Sequence, residues 1–174
     1  MIFKQFLRGE KTVTDAGKWG MRKFPKTGGP FPLSKTKSVR LGDQWETRVV
    51  KLELDGHQYV MLIGVQHAKQ EMLAYLGARI GDNSLVLARL EYHATHPGVH
   101  IHSCCGTHEP GWMSRTGHPG LKRIPAKARQ KHNTMLPLIT TDVALRLVAE
   151  KFRISGLLTP EDDDPQADLF KEST

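Results

Sequence analysis

Five of the nine histidines lie in one stretch of the chain, between His93 and His108. Imidazole exchanges protons near neutral pH and also binds metal ions. His100 and His102 alternate with Val99 and Ile101. Alternation of polar and apolar residues predicts a half-buried β-strand, so these histidines should share one face of a sheet.

A hairpin would place this strand beside the segment Ser84–His93. When the apolar faces are matched, Tyr92 lies opposite Ile101 and the connection is the four-residue loop Thr95–Gly98. On the polar face, this register pairs Arg89 with Cys104, Glu91 with His102, and His93 with His100.

Three interpretations of this polar face remain open. In the first it is an acid–base site for nucleic-acid cleavage, in which one histidine takes a proton and another supplies one. Glu91 would orient His102, and Arg89 would hold phosphate. The candidate catalytic residues are Glu91, His93, His100 and His102.

The second interpretation is a metal site, and the third is structural. Imidazole and thiolate are the donors that zinc prefers, so zinc is the candidate cofactor, although the spacing does not identify a metal. The candidate ligands are His96, His100, His102, Cys104 and His108. In the structural interpretation the histidines form a solvated strand face, and the two small cysteines lie in the core.

The remaining elements predict an α+β domain. Asp55-Gly56 is a strong two-residue hairpin signal between Trp45–Leu54 and His57–Val65, with Leu52 opposite Tyr59 and Val50 opposite Met61. Apolar spacing predicts one helix over His67–Ile80 and a second from Thr140 or Thr141 to about Arg153. Glycines and prolines predict irregular structure over Pro25–Ser38 and Gly106–Pro137. We therefore expect a small antiparallel sheet of about four strands, in two hairpins, with two helices.

The last fifteen residues differ in composition from the rest. An acidic lead-in, Glu161–Asp164, is flanked by two prolines. It precedes Gln166-Ala167-Asp168-Leu169-Phe170, in which Leu169 and Phe170 are the only large apolar side chains of the segment. So polar a segment cannot bury enough apolar surface to fold alone. The sequence predicts a basic domain over 1–159 and a disordered acidic tail over 160–174.

This pentapeptide resembles the motif by which bacterial polymerases and repair proteins dock on the replication sliding clamp. The resemblance implies clamp-binding roles for Gln166, Asp168, Leu169 and Phe170, and a bacterial or phage setting. Proteins that occupy the clamp in this way include replication-blocking toxins of toxin–antitoxin pairs and phage inhibitors. The resemblance covers these five residues and says nothing about the folded part.

The basic charge of the chain is concentrated in the body. Outside 160–174 there are 24 Lys and Arg against 12 Asp and Glu, and a body this basic attracts polyanions, nucleic acid first. No acid occurs between Glu109 and Asp142. The candidate nucleic-acid-binding residues are Arg89, Arg115, Lys122, Arg123, Lys127, Arg129 and Lys131.

The two cysteines, Cys104 and Cys105, are adjacent and cannot form a framework of loop-closing disulfides. Their use fits a reducing cytoplasm. No apolar run approaches the roughly 20 residues of a membrane helix, so we expect no membrane partner.

Two functions follow. The first is a clamp-binding protein of the replication machinery, such as a replication-inhibiting toxin with an antitoxin partner. The second is a nuclease recruited to the clamp by its tail, with the histidine hairpin as its site, either acid–base or metal-dependent.

Overall fold

The chain folds around one curled antiparallel sheet that forms a half-barrel. The computed structural model describes residues 8–21, 32–34, 37–39, 41–80, 83–93, 96–104, 121–124, 136 and 138–158. The strands are β1 (Lys11–Asp15), β2 (Gly20–Met21), β3 (Pro32–Ser34), β4 (Lys37–Ser38), β5 (Glu46–Leu54), β6 (His57–Gln66), β7 (Glu71–Ile80), β8 (Asn83–His93), β9 (His96–Cys104), β10 (Leu121–Ile124) and β11 (Ile154–Ser155). The described residues hold one α-helix, α1 (Thr141–Phe152).

The strands of the main sheet follow the order β10-β9-β8-β7-β6-β5-β1-β11. Neighbours are antiparallel except β1 and β11, which are parallel. β6 occupies one whole edge of β5, so β1 and β2 share the other edge. β3 and β4 form a separate two-stranded sheet that lies against β8.

Both faces of the central strands are covered. On the first face Met61, Ile63 and Val65 join a large core that includes the buried side of α1. On the second face Val60 and Leu62 join a smaller cluster. Within the described residues no helix combines the length and apolar character that a membrane crossing needs.

The expected small α+β domain with four strands and two helices is wrong, because His67–Ile80 is not a helix. His67–Lys69 forms a 3-10 turn, and Glu71–Ile80 is strand β7. Met72, Ala74 and Leu76 alternate toward the large core, while Tyr75 packs on the opposite face. A strand covered on both faces loses the polar alternation that identifies it, and its Met, Leu and Ala favour helix intrinsically.

The segments expected to be irregular also contain strands. Pro25–Ser38 includes β3 and β4, and Gly106–Pro137 includes β10. Each of these strands has two to four residues, too short for periodicity to identify.

The hairpin at Asp55-Gly56 is confirmed, with Leu52 paired to Tyr59 and Val50 to Met61. The helix after Thr140 is also confirmed. Thr140 Oγ1 accepts a hydrogen bond from the backbone N–H of Val143, as an N-cap should.

The predicted register of the histidine hairpin is wrong by two residues. Leu90 pairs with Ile101 and Tyr92 with Val99. A shift of two leaves every side chain on its predicted face, because the strand period is two. The turn therefore decides the register: Pro97 and Gly98 fall in an irregularity beside His93, and Gly98 has a φ of 92°.

Gly17 offers a stability test because it meets two constraints at once. Its φ is +62°, and an added Cβ would clash with the carbonyl oxygen of Val49. Gly56 has a φ of +72° but open space around it. We expect Gly56→Ala to cost about 1–2 kcal/mol from backbone strain alone, and Gly17→Ala to cost at least about 3 kcal/mol. Urea unfolding of both variants measures the difference, and equal costs would contradict the close approach of Gly17 to Val49 of β5.

Candidate functional site

A polar cluster lies on the second face of the sheet, across β7, β8 and β9. It consists of Glu71, Tyr75, Arg89, Glu91, His93 and His102. The face is set by register: Tyr75 pairs with Arg89, and Arg89 pairs with His102.

The Glu91 carboxylate is the centre of this polar cluster. Its Oε2 lies 3.1 Å from Arg89 Nε, and its Oε1 lies 3.1 Å from His102 Nε2. A carboxylate only accepts hydrogen bonds, so His102 presents its Nε2 proton to Glu91 at this contact. The predicted Glu91–His102 contact is thus present, but as a diagonal pair, because Glu91 lies directly opposite His100.

His93 lies between two carboxylates. Its Nε2 is 3.7 Å from Glu91 Oε2, and its Nδ1 is 3.8 Å from Glu71 Oε1. Both ring nitrogens donate only when the imidazole is protonated, so a protonated His93 would link β7 to β8 through both acids.

Tyr75 was not among the sequence candidates. Burial raises the pKa of its phenol, while the neighbouring Arg89, which is also a hydrogen-bond partner, opposes that rise. A mostly apolar strand segment gives no signal for such a contact, since the register alone brings Tyr75 beside Arg89.

Accessibility separates the candidate catalytic residues. The side chains of Arg89 and His102 are each 23 % exposed and that of Glu91 is 17 % exposed, so a polar ligand can reach all three. His100 is buried, at 9 %. The arrangement can hold a proton on an imidazole beside a carboxylate and can present a guanidinium to an anion.

The metal interpretation receives no geometric support from the described residues, in which no group of three His, Cys, Asp or Glu side chains could hold an ion. The side chains of His96 and Cys104, and all of His108, lie outside the described part of the chain. Those candidate ligands therefore stay a prediction.

Other candidates also fall outside the described residues. They are the side chains of Lys122 and Arg123, and all of Arg115, Lys127, Arg129, Lys131, Gln166, Asp168, Leu169 and Phe170. The backbone of β10 is described, and its register places Arg123 opposite His102.

Two open clefts, of about 370 and 330 Å³, lie near β1. The first is lined by Glu10, Arg153 and Ser155, among others, and the second by Thr12, Glu53 and neighbouring residues. No predicted site residue lines either cleft, so the polar cluster is separate from these two clefts.

Lys11 is a second titratable group that the sequence did not indicate. It is fully buried, and its Nζ donates to the carbonyl oxygens of Phe152, at 2.8 Å, and Gly9, at 2.9 Å. Phe152 is the last residue of α1, where the helix dipole favours a cation. Burial, and secondarily the charge of Arg153, lowers the pKa of Lys11 to about 8. The hydrogen bond from Lys11 to Phe152 thus joins β1 to the C-terminal end of α1.

Comparison with known proteins gives no match to any family model, curated protein or solved structure. The functional argument therefore depends on the residues themselves.

Lys11 should make the stability of the fold depend on pH. Between pH 8 and 10.5 the folded chain binds fewer protons at this lysine than the unfolded chain. Stability should therefore rise with pH across that window, by at most about 1.4 kcal/mol per pH unit. Below pH 8 the lysine is charged in both the folded and the unfolded chain, so the free-energy cost of burying its charge no longer changes with pH.

Lys11→Met removes this titration while keeping the length of the side chain. Burial raises the pKa of Tyr59 and Tyr75, which lowers stability above about pH 10, so unfolding is best measured from pH 7.5 to 9.5. We expect the free energy of unfolding of the parent chain to rise relative to that of Lys11→Met across this range. A difference that stays constant with pH would contradict a lowered pKa.

Proposed function

We propose that this chain is a sliding-clamp-binding protein that acts at the replication machinery in a bacterial cytoplasm, by occupying the pocket that polymerase uses. The observation that carries the proposal is the Gln166–Phe170 peptide. On this proposal the chain inhibits replication, as a toxin held in check by an antitoxin or as a phage-type inhibitor.

This peptide is separated in sequence from the described core. Ile154 and Leu157 are buried in the large core, with Leu158 packed against it. The acidic segment begins after them at Glu161, and Leu169 and Phe170 follow it. Two apolar anchors of this kind commonly supply most of the energy of an interface.

The clamp proposal predicts that Leu169→Ala with Phe170→Ala abolishes binding to a purified bacterial sliding clamp. Loss of both anchors should weaken binding by at least about 2 kcal/mol, or roughly thirtyfold, without lowering the melting temperature. Leu138→Ala is the matched control, because Leu138 is also a large exposed apolar residue, at 55 %, but lies outside the motif. Equal affinity of the double variant and the control would refute the proposal, and so would a large drop in melting temperature, which would assign the pair to the core.

A second candidate function is a clamp-recruited nuclease. The observation that favours it is the contact between Glu91 and His102 in a partly exposed cluster that also contains Arg89. Recruitment by a tail raises the concentration of the body near DNA without any new contact in its folded part. The cluster would then supply the acid and base, and Arg89 the phosphate contact.

The nuclease candidate predicts cleavage of labelled DNA or RNA that is lost in His102→Ala. His67→Ala is the matched control, because His67 makes the same kind of contact, 2.8 Å from Glu46, at an exposed site. Loss of one proton-transfer group should slow cleavage roughly 100- to 10,000-fold. Cleavage that survives chelator supports acid–base chemistry, and cleavage abolished by chelator supports a metal. Equal rates in the two histidine variants, or no cleavage by the parent chain, would rule out this function for the polar cluster.

A further inference from the structure

The sheet register aligns four polar residues in one row across four strands. Tyr75 of β7 pairs with Arg89 of β8, Arg89 pairs with His102 of β9, and His102 pairs with Arg123 of β10. Directly opposed residues of an antiparallel sheet have Cβ atoms about 4.5–5.5 Å apart. Two arginine positions therefore flank one histidine, although they are separated in sequence by 34 residues.

From this row we infer that Arg89, His102 and Arg123 form a phosphate-binding row for a nucleic-acid strand. The inference deepens the nucleic-acid part of the proposed function and does not depend on the clamp peptide. Guanidinium groups bind phosphate in a planar, bidentate manner, and a protonated imidazole adds positive charge.

The Arg89 guanidinium is only partly engaged by its carboxylate partner. Its Nε lies 3.1 Å from Glu91 Oε2, as in an ion pair, but this buried N–H makes no hydrogen bond within the described part of the chain. The side chain as a whole is 23 % exposed. A phosphate at the accessible part of the guanidinium would therefore add charge-assisted hydrogen bonds.

Glu91 is the positioning residue of the row. It contacts Arg89 and His102 at the same distance of 3.1 Å, which holds the two side chains next to each other across the β8–β9 boundary. The carboxylate neutralises one positive charge, so two arginines with Glu91 leave a net charge of +1, even with a neutral histidine.

The size and surroundings of the row favour a nucleic-acid strand over a single phosphate as the ligand. Neighbouring β-strands are spaced about 4.8 Å apart, so the positions of Arg89 and Arg123 are roughly 10 Å apart. That distance is longer than one phosphate group. β10 also lies in the longest stretch of the body without an acid, between Glu109 and Asp142. Successive phosphates of one strand fit a row of this length and charge.

The test uses the full chain and a labelled single-stranded oligonucleotide, with affinity measured by anisotropy at several salt concentrations. Arg123→Gln should weaken binding roughly fivefold at 0.1 M salt and lower the salt slope by about 0.7, as expected for one lost phosphate contact. Arg89→Lys keeps the charge but not the planar fork, and it should also bind more weakly. Lys151→Gln is the control, since it makes the same charge change on α1, which packs on the opposite face of the sheet.

Two outcomes would overturn the inference. The first is an affinity and salt slope of Arg123→Gln equal to those of Lys151→Gln. The second outcome concerns the NMR resonance of His102. If inorganic phosphate shifts this resonance, while an oligonucleotide neither shifts it nor competes with the phosphate, the row binds free phosphate. The Leu169→Ala, Phe170→Ala variant should bind the oligonucleotide as the parent chain does, so a failure of the clamp proposal is distinguishable from a failure of the row.

Discussion

Because every residue of β6 from Tyr59 to Gln66 is buried, the sheet needs a cover on both faces. Helix α1 supplies the first cover. The segment around Val39 and Leu41 supplies the second, where it packs against Val60 and Leu62 of β6. Burial of apolar surface on this scale is the dominant favourable term in folding. The positions of α1 and the polar cluster follow from how these two covers are arranged.

The polar cluster occupies the part of the second face beyond the small apolar cluster. Partly buried charges are tolerated only when they are paired, and the single carboxylate of Glu91 serves Arg89 and His102 together while His93 lies close by. Removal of one partner from such a group leaves the others incompletely neutralised, which costs more than the loss of an exposed ion pair. The same pairing keeps the side chains in fixed relative positions, as a ligand site requires.

In the proposed function the terminal peptide and the folded body have separate roles. The peptide supplies apolar anchors that bind the clamp, and the body supplies positive charge that attracts the DNA. β11 is an edge strand of the sheet and pairs with β1 beside the buried Lys11. The acidic segment follows β11 in the sequence, and on this proposal binding at the peptide would keep the phosphate-binding row near nucleic acid.

The sequence by itself determined the local features of this protein. Asp55-Gly56 specified its hairpin, Thr140 specified the start of α1, and period two assigned His102 and Glu91 to one face, because turn chemistry, capping and strand pleat act over a few residues. The tertiary structure decided the rest. It made β7 a strand, since cover on both faces removed the alternation that marks one. It also set the β8–β9 register, which a shift of two residues leaves invisible to any apolar pattern. The pairing of β1 with β11 around Lys11 depends on residues more than 140 positions apart, and no local spacing can encode it.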